Sequence, residues 1–124
     1  MQKVITISSH KYTIKSSAWT QFKYKNDTGR NLLSDLQALN KRIEGKSEDE
    51  LVESLDDMLG VLMRLTYNLI EEAGEDKEKI KSFEDFLKSV DDLFSDTQWL
   101  VDTLEVAIAP LSGGTKTPSP QIKQ

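Results

Sequence analysis

A helical repeat of apolar residues through the middle of the chain constrains the fold more than any other sequence feature. Apolar side chains recur every three or four residues at Leu51, Leu55, Met58, Leu59, Leu62, Leu65, Leu69 and Ile70. This spacing places them on one face of an α-helix, so we predict a central helix over residues 47–73. Ser47 and Glu50 have the spacing of a capping box at its start, and Gly74 can end it in the left-handed conformation.

The start of the chain has the alternation of a β-hairpin. Residues 4–7 and 12–15 are short β-branched and aromatic runs separated by the polar residues 8–11, which predicts two strands and a four-residue loop. Alternation puts Ile5 and Ile7 on one face of this hairpin. Because a lone hairpin is only marginally stable in water, we expect that face to pack against helices.

Two shorter helices are predicted between the hairpin and the central helix. The first covers residues 18–26, with Ser17 as N-cap and with Trp19 and Phe22 at helical spacing. Aromatic residues at that spacing are more typical of a core than of a nucleic-acid interface. The second helix covers residues 31–43 and carries one leucine-rich stripe.

The region after the central helix allows two interpretations. Residues 82–109 keep a helical period throughout, but residues 95–98 can also cap a new helix, so the region is one helix or two. The composition then changes to Gly, Pro, Ser and Thr, which is typical of a flexible segment. We predict a single α+β domain over residues 1–109 and a flexible C-terminal tail over residues 110–124. The predicted fold is mostly helical, with a short N-terminal β-hairpin packed on a four- to five-helix bundle.

Few residues of this chain are suited to chemistry. It has no cysteine, which excludes disulfides and thiolate zinc sites. Its single histidine, His10, falls in the predicted hairpin loop without an orienting partner. The acidic pairs at residues 56–57 and 91–92 each lie on a predicted helix, where adjacent side chains point about 100° apart and cannot chelate together. We therefore predict no enzyme activity, no cofactor and no metal site.

Charge is divided unevenly along the chain. Residues 1–46 contain nine Lys and Arg against three Asp and Glu, whereas residues 47–109 contain five against eighteen. The net charge of −5 argues against nucleic acid as a partner. No run approaches the roughly 20 apolar residues that cross a bilayer, so we expect no membrane association and a cytoplasmic location.

Opposite charge at the two ends predicts head-to-tail self-association into a ring or a spiral. The residues expected to meet across this contact are basic on one molecule and acidic on its neighbour. They are Lys23, Lys25, Arg30, Lys41 and Arg42 on the basic side, and Asp56, Asp57, Asp91 and Asp92 on the acidic side. Trp99 is a further candidate, either as an exposed interface anchor or as a partly buried core residue.

The N-terminal motifs also carry a family resemblance. Four motifs follow one another within about the first 45 residues. They are a short strand–turn–strand, the aromatic helix with Trp19 and Phe22, a helix stop at residues 26–30, and a leucine-rich helix. In these motifs the chain resembles the tail assembly chaperones of long-tailed bacteriophages of Gram-positive hosts. Over the rest of its length it resembles them only in architecture.

The resemblance implies a definite role in the assembly of a virus particle. Such chaperones oligomerise on the tape measure protein in the host cytoplasm, are displaced by the tail tube protein as it polymerises, and are absent from the mature virion. Many are also made in a longer form by a ribosomal frameshift. The alternative is a structural tail or head-completion protein that is retained in the virion.

Overall fold

The structure, a computed structural model, describes residues 1–111. This part of the chain forms a two-stranded antiparallel hairpin and six helices. The strands are β1 (Gln2–Ile7) and β2 (His10–Lys15). The helices are α1 (Trp19–Thr28), α2 (Leu32–Ile43), α3 (Glu48–Ser54), α4 (Leu59–Ala73), α5 (Phe83–Ser89) and α6 (Gln98–Ile108). Short 3-10 turns cover Asp56–Met58 and Ala109–Leu111. The predicted α+β, mostly helical fold with an N-terminal hairpin is confirmed.

The end of the domain was predicted at residue 109. The second 3-10 turn includes Pro110 and Leu111, and Leu111 packs against the core. The rest of the predicted tail, residues 112–124, lies outside the described residues.

The hairpin loop is shorter than predicted. Ile7 pairs with His10, so Ser8 and Ser9 alone form the loop, and both have positive φ, 53° and 72°. Two residues with positive φ are the signature of a type I′ turn, whose twist matches that of the strands it joins. The prediction of a four-residue loop was wrong because serine gives little sequence signal for this turn.

The hairpin lies on the helices through one face. Its inward side chains are all buried, and they are Ile5, Ile7, Tyr12 and Ile14. Strand β2 packs on α4, and β1 packs on α6. Helix α4 is buried over most of its circumference, as expected for the central helix of the fold. The hairpin and the two helices therefore form two layers around one core.

The predicted central helix is interrupted between α3 and α4. In a continuous helix the Ser54 carbonyl would accept a hydrogen bond from the N–H of Met58. Here it accepts from Nη1 of Arg42 at 3.0 Å, while the hydroxyl of Ser54 donates to the Arg42 carbonyl at 2.7 Å. The N–H of Met58 turns to the carbonyl of Leu55 at 3.0 Å, which is a 3-10 bond. A side chain from α2 therefore breaks the helix without any proline or glycine.

The helix caps predicted at Ser47 and Gly74 are present, whereas Ser17 is not the N-cap of α1, whose cap position is Ala18. Ser47 and Glu50 form both hydrogen bonds of a capping box at the start of α3. Gly74 ends α4 with φ of 73°, a conformation that costs glycine little. Ser82 begins α5 by accepting from the N–H of Asp85 at 3.1 Å.

The region after α4 contains two helices, which settles the open alternative. Helix α5 ends at Ser89, and α6 begins at Gln98. Between them Asp92 accepts hydrogen bonds from the N–H groups of Phe94 and Ser95, which holds the chain in a turn. Within residues 1–111, no helix has the length and apolar character needed to cross a membrane.

Candidate protein-binding surface

Two large aromatic side chains stand on the surface of α1. Trp19 is 54% exposed and Phe22 is 58% exposed, and they lie one turn apart on the same side of the helix. The side that faces the protein instead buries Thr20 and Tyr24. The prediction that the aromatic stripe of this helix belongs to the core was therefore wrong.

Polar contacts explain why α1 turns this way. The hydroxyl of Thr20 donates to Oε1 of Glu72 on α4 at 2.6 Å. The hydroxyl of Tyr24 donates to Oδ2 of Asp35 on α2 at 2.5 Å. Because both hydroxyls find carboxylate partners inside the protein, α1 docks through them and its aromatic pair is left outside.

Asp35 is the centre of this attachment. Arg30 binds its carboxylate through two hydrogen bonds, Nε to Oδ2 at 2.8 Å and Nη2 to Oδ1 at 2.9 Å. Burial by itself would raise the pKa of Asp35, but the hydrogen bonds from Arg30 and Tyr24 outweigh burial and lower that pKa below its usual value. Burial, followed by the hydrogen bond with Asp35, raises the pKa of Tyr24 far above its ordinary value. The pair therefore consists of a neutral phenol and a carboxylate at neutral pH.

Three of the five basic residues predicted to bind a neighbour are paired within the chain. Lys23 lies 2.8 Å from Oδ2 of Asp27 and 3.5 Å from Oε1 of Glu71. Arg30 is held by Asp35, and Arg42 binds both carboxylate oxygens of Asp57. The other two, Lys25 and Lys41, are exposed on α1 and α2. Most of the basic charge assigned to the predicted contact is thus offset by nearby acids.

The predicted acidic residues lie in two places. Asp56 and Asp57 are exposed in the 3-10 turn between α3 and α4, where Asp57 is bound by Arg42. Asp91 and Asp92 are exposed in the loop after α5, not on a helix as predicted. Their N–H groups both donate to the hydroxyl of Ser8, at 3.2 and 3.0 Å, which fixes this loop beside the hairpin turn.

Trp99 belongs to the core. It is 1% exposed, and its indole Nε1 donates to the carbonyl of Leu93 at 2.9 Å. This bond satisfies the polar atom of a buried indole. Of the two alternatives, the exposed interface anchor is wrong, and Trp99 instead fixes the start of α6 against the preceding loop.

The rest of the surface that residues 1–111 form has few groups suited to chemistry. His10 is exposed at the start of β2, and within residues 1–111 no three His, Asp or Glu side chains come together as metal ligands. Two surface clefts measure about 240 and 260 Å³, below the volume of about 300–1,000 Å³ typical of small-molecule sites. Among the described residues, the exposed aromatic pair on α1 therefore has the clearest binding chemistry. Comparisons of the chain with known family models, with curated proteins and with solved structures gave no match.

Proposed function

We propose that this chain is a bacteriophage tail assembly chaperone, a non-catalytic protein that binds the tape measure protein before the tail tube polymerises around it. The observation that carries the proposal is the exposed pair of Trp19 and Phe22 on α1. The resemblance of the N-terminal motifs to such chaperones supports the specific role. The hairpin-and-helix architecture is consistent with it.

The aromatic pair has enough apolar surface to anchor a partner. A covered Trp or Phe buries about 150–250 Å², so the exposed halves of the two side chains amount to about 200 Å². At about 25 cal/mol per Å², covering this surface contributes up to about 5 kcal/mol before the costs of association are subtracted. Tryptophan is also among the residues most often found at the energetic centre of interfaces.

The geometry of α1 suits a helical client. Trp19 and Phe22 project from one side of a ten-residue helix, and a second helix can lie along that side with its apolar face toward them. A tape measure protein presents long helices, so repeated copies of this chain in a ring or spiral would cover it in sections. The exposed Lys25, Lys41 and Asp56 remain as charges that can orient neighbouring copies.

Binding to the tape measure protein encoded by the same genome tests the proposal. The purified chain and a Trp19→Ala/Phe22→Ala variant are compared by analytical sedimentation with that protein. We expect the variant to bind at least about 30-fold more weakly, equivalent to about 2 kcal/mol. Val52→Ala is the matched control, because Val52 is an exposed apolar residue on α3 and its loss should not change the affinity. Equal affinity for the aromatic variant and the control would refute the role of α1.

The composition of purified virions tests the specific role. A chaperone is present in infected cells and missing from particles, whereas a structural tail or head-completion protein is found in both. Mass spectrometry of particles and of lysate therefore separates the two. Finding this chain in the particles at the copy number of a structural protein would overturn the chaperone proposal.

A further inference from the structure

Lys25 continues the line of exposed side chains on α1. Trp19, Phe22 and Lys25 follow one another at intervals of three residues, and each step turns the position by only about 60° around the helix. All three residues are exposed. Because Phe22 lies between the other two, a partner helix that covers both aromatic rings has Lys25 at the border of its contact.

The ammonium group of Lys25 is unpaired within the described part of the chain, where it makes no ion pair or hydrogen bond. Asp27 is the acidic residue of α1, and two residues along a helix place it about 200° away from Lys25, on the opposite side. Asp35 is the acidic residue of α2, and Arg30 holds its carboxylate through two hydrogen bonds. Lys25 therefore presents a positive charge beside Phe22 that neither helix compensates.

The opposite border of the aromatic pair contains both signs of charge. Nζ of Lys23 lies 2.8 Å from Oδ2 of Asp27 and 3.5 Å from Oε1 of Glu71 on α4. Beyond Glu71, the side chains of Lys77 and Lys81 line the same cleft as that carboxylate. This border can accommodate a partner residue of either sign, so it selects for neither. The selection by charge comes from the border that Lys25 forms.

We propose that the helical segment bound by α1 carries a carboxylate beside the apolar residues that cover Trp19 and Phe22, and that this carboxylate pairs with Lys25. The inference rests on the proposed function, because it names the chemistry of the client at the same surface. It assigns Lys25 to the client and not to a neighbouring copy of the chain. Charge at the border of an apolar contact selects among partners more than it adds affinity, so Lys25 distinguishes acidic from basic client segments.

Two synthetic peptides provide a direct test. The acidic probe consists of three repeats of Leu-Ala-Gln-Leu-Glu-Ala-Glu, and the basic probe has Lys in place of both Glu residues. The leucines form one apolar stripe on a helix, and the charged positions flank that stripe on both sides. Repulsion between like charges along the stripe opposes pairing of each peptide with itself. Isothermal titration calorimetry with the full chain gives the two affinities.

We expect the acidic peptide to bind at least about threefold more tightly than the basic one, which is the effect of one exposed ion pair. Lys25→Glu should reverse this order, and Lys25→Gln should abolish the difference. Lys41→Glu is the matched control, since Lys41 is an exposed lysine on α2 and its reversal should leave the order unchanged. In about 1 M salt the difference should vanish while the aromatic contact persists.

The reversal of preference separates binding from stability. Lys25 lies in the last turn of α1, where a positive charge also stabilises the helix end. Loss of that contribution would weaken the binding of both peptides together and could not exchange their order. If Lys25→Glu does not fold, the loss of preference in Lys25→Gln decides the question.

The inference and the proposed function fail in different ways. Equal affinity of the two peptides for the unmodified chain, or an unchanged order in Lys25→Glu, would overturn the role of Lys25 and leave that of the aromatic pair intact. If Trp19→Ala/Phe22→Ala weakens neither peptide, or if neither peptide binds the unmodified chain, a helical client on α1 is refuted and the role of Lys25 is refuted with it.

Discussion

The Tyr24→Phe substitution removes one hydrogen bond from the attachment of α1 while keeping the shape of the core. Tyr24 is fully buried and donates to the carboxylate of Asp35 at 2.5 Å. A hydrogen bond to a charged group contributes about 1.5–3 kcal/mol. Because Oδ2 of Asp35 keeps its bond from Nε of Arg30, the carboxylate is not left without a partner. We therefore expect a loss of about 2 kcal/mol in the free energy of unfolding at neutral pH.

The size of this loss should depend on pH in a defined direction. Despite its burial, Asp35 has a lowered pKa in the folded protein, because hydrogen bonds from Arg30 and Tyr24 stabilise its charged form. The stability gained in this way is present above the unfolded pKa of about 3.9 and is lost as the pH falls through the lower folded pKa. The difference between the wild-type chain and Tyr24→Phe should therefore be larger near pH 6 than near pH 3.

Urea unfolding followed by circular dichroism at the two pH values measures the effect, and Tyr12→Phe is the matched control. The hydroxyl of Ser89 donates to the Phe86 carbonyl, so the hydroxyl of Tyr12 donates to Ser89 at 2.7 Å in a bond between neutral groups. Its removal should cost about 1 kcal/mol at both pH values. A cost for Tyr24→Phe that is no larger than that of Tyr12→Phe, or that is the same at both pH values, would refute the assigned role of the Tyr24 hydroxyl.

Two further substitutions should raise stability, and both can be measured as changes in the midpoint of urea unfolding. Asn68 is 3% exposed, and neither polar atom of its side chain has a partner in the described part of the chain. Asn68→Leu should therefore stabilise the fold by about 1–2 kcal/mol. An unchanged or lower midpoint would contradict this prediction. Ser9 has φ of 72°, so Ser9→Gly should stabilise by about 0.5–1 kcal/mol. Ser8→Ala should instead lower stability, since the hydroxyl of Ser8 accepts hydrogen bonds from two N–H groups of the loop after α5. A rise in the unfolding midpoint for both serine substitutions would contradict this account of the turn.

The features that the sequence predicts correctly depend on residues close together in the chain. The capping box at Ser47 and Glu50 involves residues three positions apart, and Gly74 follows directly on the helix that it ends. The alternation of Ile5 and Ile7 likewise identifies the inward face of the hairpin without knowledge of what covers it. Such local patterns carry their own physical cause, so they can be recognised before the fold is known.

The features that the sequence misses depend on partners far along the chain. Thr20 is turned inward by Glu72, which lies 52 residues away, and its burial decides that Trp19 faces solvent. The break after Ser54 has a similar cause. Arg42 donates a hydrogen bond to the Ser54 carbonyl, which would otherwise continue the helix, although the apolar repeat in the sequence continues past this point. No local signal marks either event. For this reason the helical spacing of Trp19 and Phe22 wrongly predicts that this surface of α1 belongs to the core.

The two tryptophans of this chain lie in opposite surroundings. Trp99 is enclosed and hydrogen-bonded to a carbonyl, whereas Trp19 meets water on the outside of α1. Indole emission shifts to longer wavelengths in water, and a dissolved quencher reaches only an indole at the surface. The intrinsic fluorescence of the chain should therefore have two components. Trp99 gives emission at shorter wavelength that a quencher does not reach and that reports on the core. Trp19 gives emission at longer wavelength that a quencher reaches and that reports on a partner bound to α1. Unfolding and partner binding can thus be followed at two wavelengths in one unlabelled sample.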